Sequence, residues 1–266
     1  MAGTTTARRG GRPRPGPPPP AGRLARLLRP RGRRVLVLAL VLAAALGGFG
    51  TWALYGSDWL RVEDVAIERG EGPEELTERQ ILEAAAVPLG SPLASLDTGT
   101  IRDRLLSRLP RLKSADVERS WPDGVSLSVT EREAELLQVT GDGFTEVDGE
   151  GVAFAEIPEA LPGVPLLELD LSDSPSIRRF DEERVRGAAV SVVRNLPGEV
   201  REELRLVRAT SYDAITLELS GERTVRWGSA EQPAEKASAL AAVLEAAPDA
   251  AHFDVSAPSV PASAEG

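Results

Sequence analysis

Three features of the sequence could do chemistry: an adjacent carboxylate and guanidinium, a lone imidazole, and a surplus of acids. Glu131 and Arg132 close the stretch RSWPDGVSLSVTER (119–132). A catalytic role for that pair would need a nucleophile, a metal or a second tuned group beside it, and the sequence indicates none. His252 is the single histidine, so a Ser-His-Asp relay would have to run through it. A zinc site would lack cysteine ligands and a second histidine, because the chain has no cysteine. The 41 acidic residues guarantee that some carboxylates lie close together, which makes any one pair uninformative as a glycosidase dyad. The inventory points away from an enzyme: no catalytic residue, metal ligand set, cofactor or small-molecule substrate is expected.

Charge falls into two blocks. Residues 1–34 hold ten arginines (Arg8, Arg9, Arg12, Arg14, Arg23, Arg26, Arg29, Arg31, Arg33, Arg34) and no acid. All 41 acids follow Tyr55, so the body is far more acidic than the whole-chain charge of -10. Such a body repels phosphates and argues against nucleic acid as a partner. Between the blocks, VLVLALVLAAALGGFGTWALY (35–55) runs without a charge. At ~1.5 Å per residue, a helix of that length crosses a ~30 Å hydrocarbon core once. Trp52, Tyr55 and Trp59 suit the far interface, and the arginine flank should stay cytoplasmic with the body outside. The small residues of AAALG and the pair Arg33-Arg34 allow a cleaved signal instead. The apolar run exceeds the usual signal core of up to ~15 residues, and a retained span in the cell membrane is expected. Within it Ala39, Ala43, Gly47 and Thr51 recur every fourth residue, either a face for another helix or plain Ala/Gly richness.

The elements that would carry these residues follow from periodicity. RRGGRPRPGPPPPAGR is low-complexity, and residues 1–34 are expected to be a disordered basic tail. RVEDVAIE (61–68) reads as a strand. Thr77 and Gln80 form a capping box opening TERQILEAAA, and a second helix covers Thr100 to Leu109. Two strands, SADVERSW and GVSLSVTE, join through Pro122-Asp123-Gly124, a turn in which glycine would take a positive φ. The order is β-α-α-β-β. Val125, Leu127 and Val129 point inward, so a straight strand would put Glu131 on the apolar face. A lone buried carboxylate is costly; either Glu131 pairs with an arginine or the strand leaves its sheet. Glu131 and Arg132 are therefore read as a structural ion pair or hinge between domains. Arg119, Trp121 and Pro122 are turn and packing residues, with Trp121 capping the sheet and Arg119 a partner for a carboxylate.

Beyond the seam, AELLQVTGDGFTEVDGEGVAFAEI reads as strands broken by hairpin turns, and a helix runs from about Asp181 to Asn195. LRLVRAT, AITLELS and RTVRWG form an antiparallel meander, and PAEKASALAAVLEAA is the last helix. HFDVS is a short final strand. The remaining 257–266 is too polar and proline-broken to order itself. With nothing beyond it, HFDVS should be a sheet edge offering free N–H and C=O groups to a partner strand, or else a terminal strand packed on the core. A few backbone bonds at ~1 kcal/mol each give weak affinity, so an anchor such as Phe253 must add to them. Pro258 and Pro261 would shorten that edge.

The arginine-rich head, the single span and the segments VEDVAIERG, ILEAAAVPLGSPLASLD, LPRLKSADVERSWPDGVSLSVTERE, VDGEGVAF, VRWGSAEQPAEKASALAAVLE and FDVSAPSVP occur in the order of one family. The sequence resembles the bacterial cell-division FtsQ/DivIB family over its whole length, most nearly its actinobacterial members. The R-x-W-P and E-R of the central segment are the most specific matches. The resemblance implies an α+β fold: one N-terminal transmembrane helix, a POTRA domain over 62–130, and a β-rich FtsQ/DivIB domain with flanking helices over 131–256. It implies a non-enzymatic divisome scaffold at the septum that binds FtsB-like and FtsL-like proteins outside the membrane and helps control septal peptidoglycan synthesis. It also implies that an FtsB-like partner adds to the sheet at Ala251, His252, Phe253, Asp254, Val255 and Ser256. Two other readings are an exported wall hydrolase freed by signal cleavage and a single-span sensor. The sensor would need a folded cytoplasmic output module, which the Pro/Arg head lacks.

Overall fold

The charge-free run lies inside one helix, α1 (Pro30–Gly56), in a computed structural model that describes residues 30–171 and 181–265. The expected basic tail falls outside the described residues up to position 29. Its last five positions are helical: the helix starts five residues before the charge-free run, since arginine is a good helix former. Arg33–Gly56 is long and apolar enough to cross a membrane, and none of that span is buried within the chain. Thr51 spends its hydroxyl on the Gly47 carbonyl, 2.8 Å away in the same helix. A 3-10 turn (Asp58–Leu60) completes this unit, and Arg61 begins the other.

The second unit opens with three strands, β1 (Asp64–Arg69), β2 (Leu112–Ser120) and β3 (Gly124–Glu131), in the order β1-β3-β2. The central β3 is parallel to β1 and antiparallel to β2. Helices α2 (Glu78–Ala85) and α3 (Thr98–Arg108) separate β1 from β2. The capping box is present: Gln80 N–H donates to Thr77 Oγ1 at 3.3 Å, and Thr77 N–H to Gln80 Oε1 at 2.8 Å. α3 starts two residues earlier than its apolar pattern suggests, because Asp97 caps it. The Thr100 hydroxyl, then its N–H, hold the Asp97 carboxyl below its ordinary value. Ile81, Leu93, Ile101 and Leu105 pack with Val125, Leu127 and Val129 in one buried cluster. Each fully buried aliphatic contributes about 1.5–3 kcal/mol.

The β2–β3 turn differs from expectation. Trp121-Pro122 is cis, and Gly124 is not among the positive-φ residues. Space selects that glycine: a Cβ there would meet the Ser120 carbonyl oxygen and Cβ at 3.2 Å.

After a two-residue link come β4 (Ala134–Thr140), β5 (Gly143–Asp148), β6 (Ala153–Ile157), β7 (Leu166–Leu169), α4 (Glu182–Arg194), α5 (Gly198–Glu203), β8 (Leu204–Ser211), β9 (Ala214–Leu219), β10 (Thr224–Gly228), α6 (Pro233–Ala246), β11 (His252–Asp254) and β12 (Ala262–Ala264). Their nine strands make one sheet, β12-β11-β10-β9-β8-β7-β4-β5-β6. β8, β9 and β10 form the expected antiparallel meander. β7 was not legible: four residues show no period, yet they pair in parallel with both β4 and β8. α5 buries only Val200, too little for an apolar stripe. α6 carries the chain from β10 to a parallel β11. Trp227, Val207, Leu217, Val192, Val193, Leu240 and Phe253 share the core.

The end of the chain corrects the sequence reading. Residues 257–266 were expected to trail off, but Ala262–Ala264 pair antiparallel with β11 as β12. Pro258 and Pro261 both precede the three paired residues, so neither removes an N–H within them. The chain turns back between them, with Val260 N–H donating to Ala257 C=O at 3.0 Å.

Candidate functional site

At the end of β3, Glu131 pairs with an arginine: Arg69 Nη1 lies 3.2 Å from its Oε1. The carboxylate, 6% exposed, also accepts the N–H groups of Glu75 (3.0 Å) and Leu76 (3.1 Å). Arg69 donates in turn to the Leu76 carbonyl at 2.8 Å, so four residues tie the loop after β1 to the last turn of β3. Leu112 of β2 pairs opposite Glu131 across a bulge, and Arg132 N–H still donates to Arg111 C=O at 2.8 Å.

The next two charges face the nine-stranded sheet. Arg132 bonds Asp148, and Arg111 makes a two-pronged contact with Glu146 at 2.5 and 3.1 Å. Both carboxylates, on β5, are buried. Asp148 also accepts the N–H groups of Glu150 (2.8 Å) and Val152 (2.9 Å), and the Arg111 guanidinium stands 5.4 Å over the Phe154 ring. A polar cleft of about 390 Å³ opens here, lined by Lys113, Glu131, Arg132, Glu135, Asp148 and Arg194 among others. Several of its charges have partners: Lys113 meets Glu150 at 3.2 Å, Glu135 pairs with Arg201, and Arg194 donates to the Gly149 carbonyl at 3.1 Å. Among the described residues no group of three His, Cys, Asp or Glu side chains could hold a metal. What this arrangement can do is fix one module against the next.

The β2–β3 turn residues sit apart from the seam. Arg119 serves carbonyls where a carboxylate was expected, donating to Leu93 O at 3.1 Å and Leu96 O at 2.6 Å. That holds the 3-10 turn Leu93–Ser95 before α3. Trp121 does not cover the sheet; at 53% exposure it stands out from the turn.

At the sheet's far edge, β11 is not the last strand, because β12 covers it. Phe253 is 3% exposed and Val255 fully buried, both in the core, so neither offers an anchor at the surface. His252 is exposed, with Nδ1 2.6 Å from Thr224 Oγ1. Burial pushes the Asp254 carboxyl up, but the Ser256 hydroxyl (2.6 Å) and N–H (2.9 Å), with Arg226 at 3.5 Å, outweigh it and hold it below its ordinary value. All three β12 residues are exposed, as is Val260 at 75%. Sequence reasoning missed Arg69, Arg111, Glu146 and Asp148. Only the two acids flanking Val147 on the short strand GFTEVD hinted at buried charge.

Among the described residues, one helix long and apolar enough to cross a membrane, followed by a βααββ module and a wide, mostly antiparallel sheet, defines an anchored, two-module protein. The family described as POTRA domain, FtsQ-type, matches residues 60–132. The chain is 48% identical to cell division protein FtsQ of Streptomyces coelicolor over 267 residues, 99% of each. It is 49% identical to FtsQ of Streptomyces venezuelae over 248 residues, covering 93% of this chain and 90% of that one. FtsQ of Mycolicibacterium smegmatis is 33% identical over 236 residues, 87% of this chain and 65% of that one. A solved extracytoplasmic domain of the division protein DivIB from Geobacillus stearothermophilus overlaps 44% of this chain and 93% of that one, with a TM-score of 0.32 at 15% identity. The chain belongs to the FtsQ/DivIB family of bacterial cell-division proteins. With α1 it is a single-pass membrane protein of the divisome, in a family that is not catalytic.

Proposed function

We propose that this protein is a scaffold with its N-terminus in the cytoplasm and its two modules, over 62–130 and 131–256, outside the membrane at the septum. It captures FtsB-like and FtsL-like division proteins there and so helps control septal peptidoglycan synthesis. The observation that carries the docking step is β12, an exposed strand at the end of a nine-stranded sheet with no strand paired beyond it among the described residues. Such an edge presents main-chain donors and acceptors to an incoming strand. The region around Ala251–Ser256 keeps its place in this reading as the support under β12, and exposed Val260 takes the anchoring part first given to Phe253. Three residues supply only a few bonds at ~1 kcal/mol each, too little for tight association in free solution. Anchoring both partners in one membrane raises their effective concentration and compensates. Truncating the chain after Val260 removes β12 and should abolish capture of an FtsB-like partner by the membrane-extracted protein. Unchanged capture, with the truncated protein still folded, would remove the edge from the mechanism.

A further inference from the structure

We infer that the end of the three-stranded module at which the chain enters β1 is a lipid-contacting surface, in which Leu89 and Trp121 enter the headgroup interface and hold the module against the bilayer. The inference rests on α1 being a retained span.

Two exposed apolar residues from distant parts of the sequence come to this end. Leu89 is 65% exposed in the loop after α2, and Trp121 is 53% exposed in the β2–β3 turn. Pro88 and Pro122 beside them are also exposed. Backbone hydrogen bonds fasten both segments to the residues that enter β1. Gly90 N–H donates to Val62 C=O at 2.8 Å, Val62 N–H to Ser91 C=O at 2.9 Å, and Glu63 N–H to Asp123 C=O at 2.8 Å. Neither side chain is needed by the module's own core, which closes without them.

Covalent reach supplies the partner. α1 ends at Gly56 and Val62 follows six residues later, with Asp58–Leu60 drawn into a 3-10 turn. Six residues so arranged span under about 20 Å, whatever their path. The headgroup zone itself is roughly 5–8 Å deep per leaflet. Tryptophan partitions favourably into that zone, which accepts its apolar body and its indole N–H together. The same end carries the exposed acids Glu63 and Asp64, so the attraction is to the interface itself and not to anionic headgroups.

The test uses the full chain reconstituted in phosphatidylcholine/phosphatidylglycerol bilayers whose acyl chains are brominated near the headgroup. The variant Trp52→Phe/Trp59→Phe leaves Trp121 and Trp227, and Trp227 is fully buried. Trp121 should be quenched to an extent comparable with Trp52, read from Trp59→Phe/Trp121→Phe. Quenching no greater than that of Trp227 alone would overturn the inference. An unquenched Trp52 would instead show that the span is not in the bilayer. Because the chain has no cysteine, Leu89→Cys carrying bimane gives a second probe that spares every tryptophan. Its emission should shift to the blue on reconstitution, whereas Val139→Cys, on β4, should not shift. A Leu89 label as water-exposed as the Val139 label would also reject the surface.

Discussion

Arg69 and Glu131 stand 62 residues apart in sequence and meet at 3.2 Å, with the carboxylate buried and the guanidinium at the edge of solvent. Glu131→Ala should cost about 3 kcal/mol, since it strands two backbone N–H groups and an arginine at once. Glu131→Gln keeps an acceptor for those N–H groups and should cost less. Thermal unfolding of the two variants checks the order. A wall-hydrolysing activity lost at unchanged stability would revive a catalytic role.

The seam yields a second expectation. Arg111→Ala with Arg132→Ala leaves Glu146 and Asp148 buried without their cations. Both modules keep their own cores, so calorimetry should resolve two transitions in place of one, the first at lower temperature. A single unshifted transition would mean that the ion pairs do not couple the modules.

The seam and the edge also show where sequence reading succeeds. The β-α-α-β-β order was legible because a capping box at Thr77 and Gln80 announces the first helix, Ile101, Leu105 and Leu109 stripe the second, Pro88 and Pro110 follow them, and β3 alternates cleanly. Glu131 stood out because it breaks that alternation. Its partner did not, since Arg69 is one of many arginines and only the fold brings β1 beside β3. β12 was hidden for another reason: Ala262, Ser263 and Ala264 have no apolar face, and their pairing is purely main-chain. Phe253 was read as a surface anchor because a short strand near a chain end gives no sign of which face a helix will cover.

Lys236 gives a pH-dependent expectation. It is buried at the start of α6, with Nζ 2.8 Å from the Ser229 carbonyl. Burial pushes its amine below the ordinary lysine value, against the opposing pull of Glu231 and Asp213. The folded state thus binds its proton less tightly than the unfolded chain, so folding carries a cost while the amine is charged in both states. That cost is relieved as pH rises from the folded value toward the ordinary lysine range. Denaturant unfolding across that alkaline window should show wild-type gaining stability relative to Lys236→Met. Parallel curves for the two proteins would contradict it.

Gly151 tests the packing of the β5–β6 turn. Its φ is +82°, and a Cβ there would lie 2.8 Å from the Gly187 Cα on α4. Gly151→Ala should destabilise by about 2 kcal/mol through backbone strain and the forced retreat of the helix. Gly187→Ala meets nothing within 4 Å and serves as the mild control in the same melting experiment.

The scarcity of lysine has a practical consequence. Of the two lysines, Lys236 is sealed in the core, which leaves Lys113, half exposed beside Glu150, as the amine within reach on the folded modules. With the modules outside the membrane, as proposed above, an amine-directed dye or crosslinker applied to the outside of the cell would mark them at one spot. That spot lies beside the seam, so a crosslinker of known length fixed there would measure what comes close to the junction.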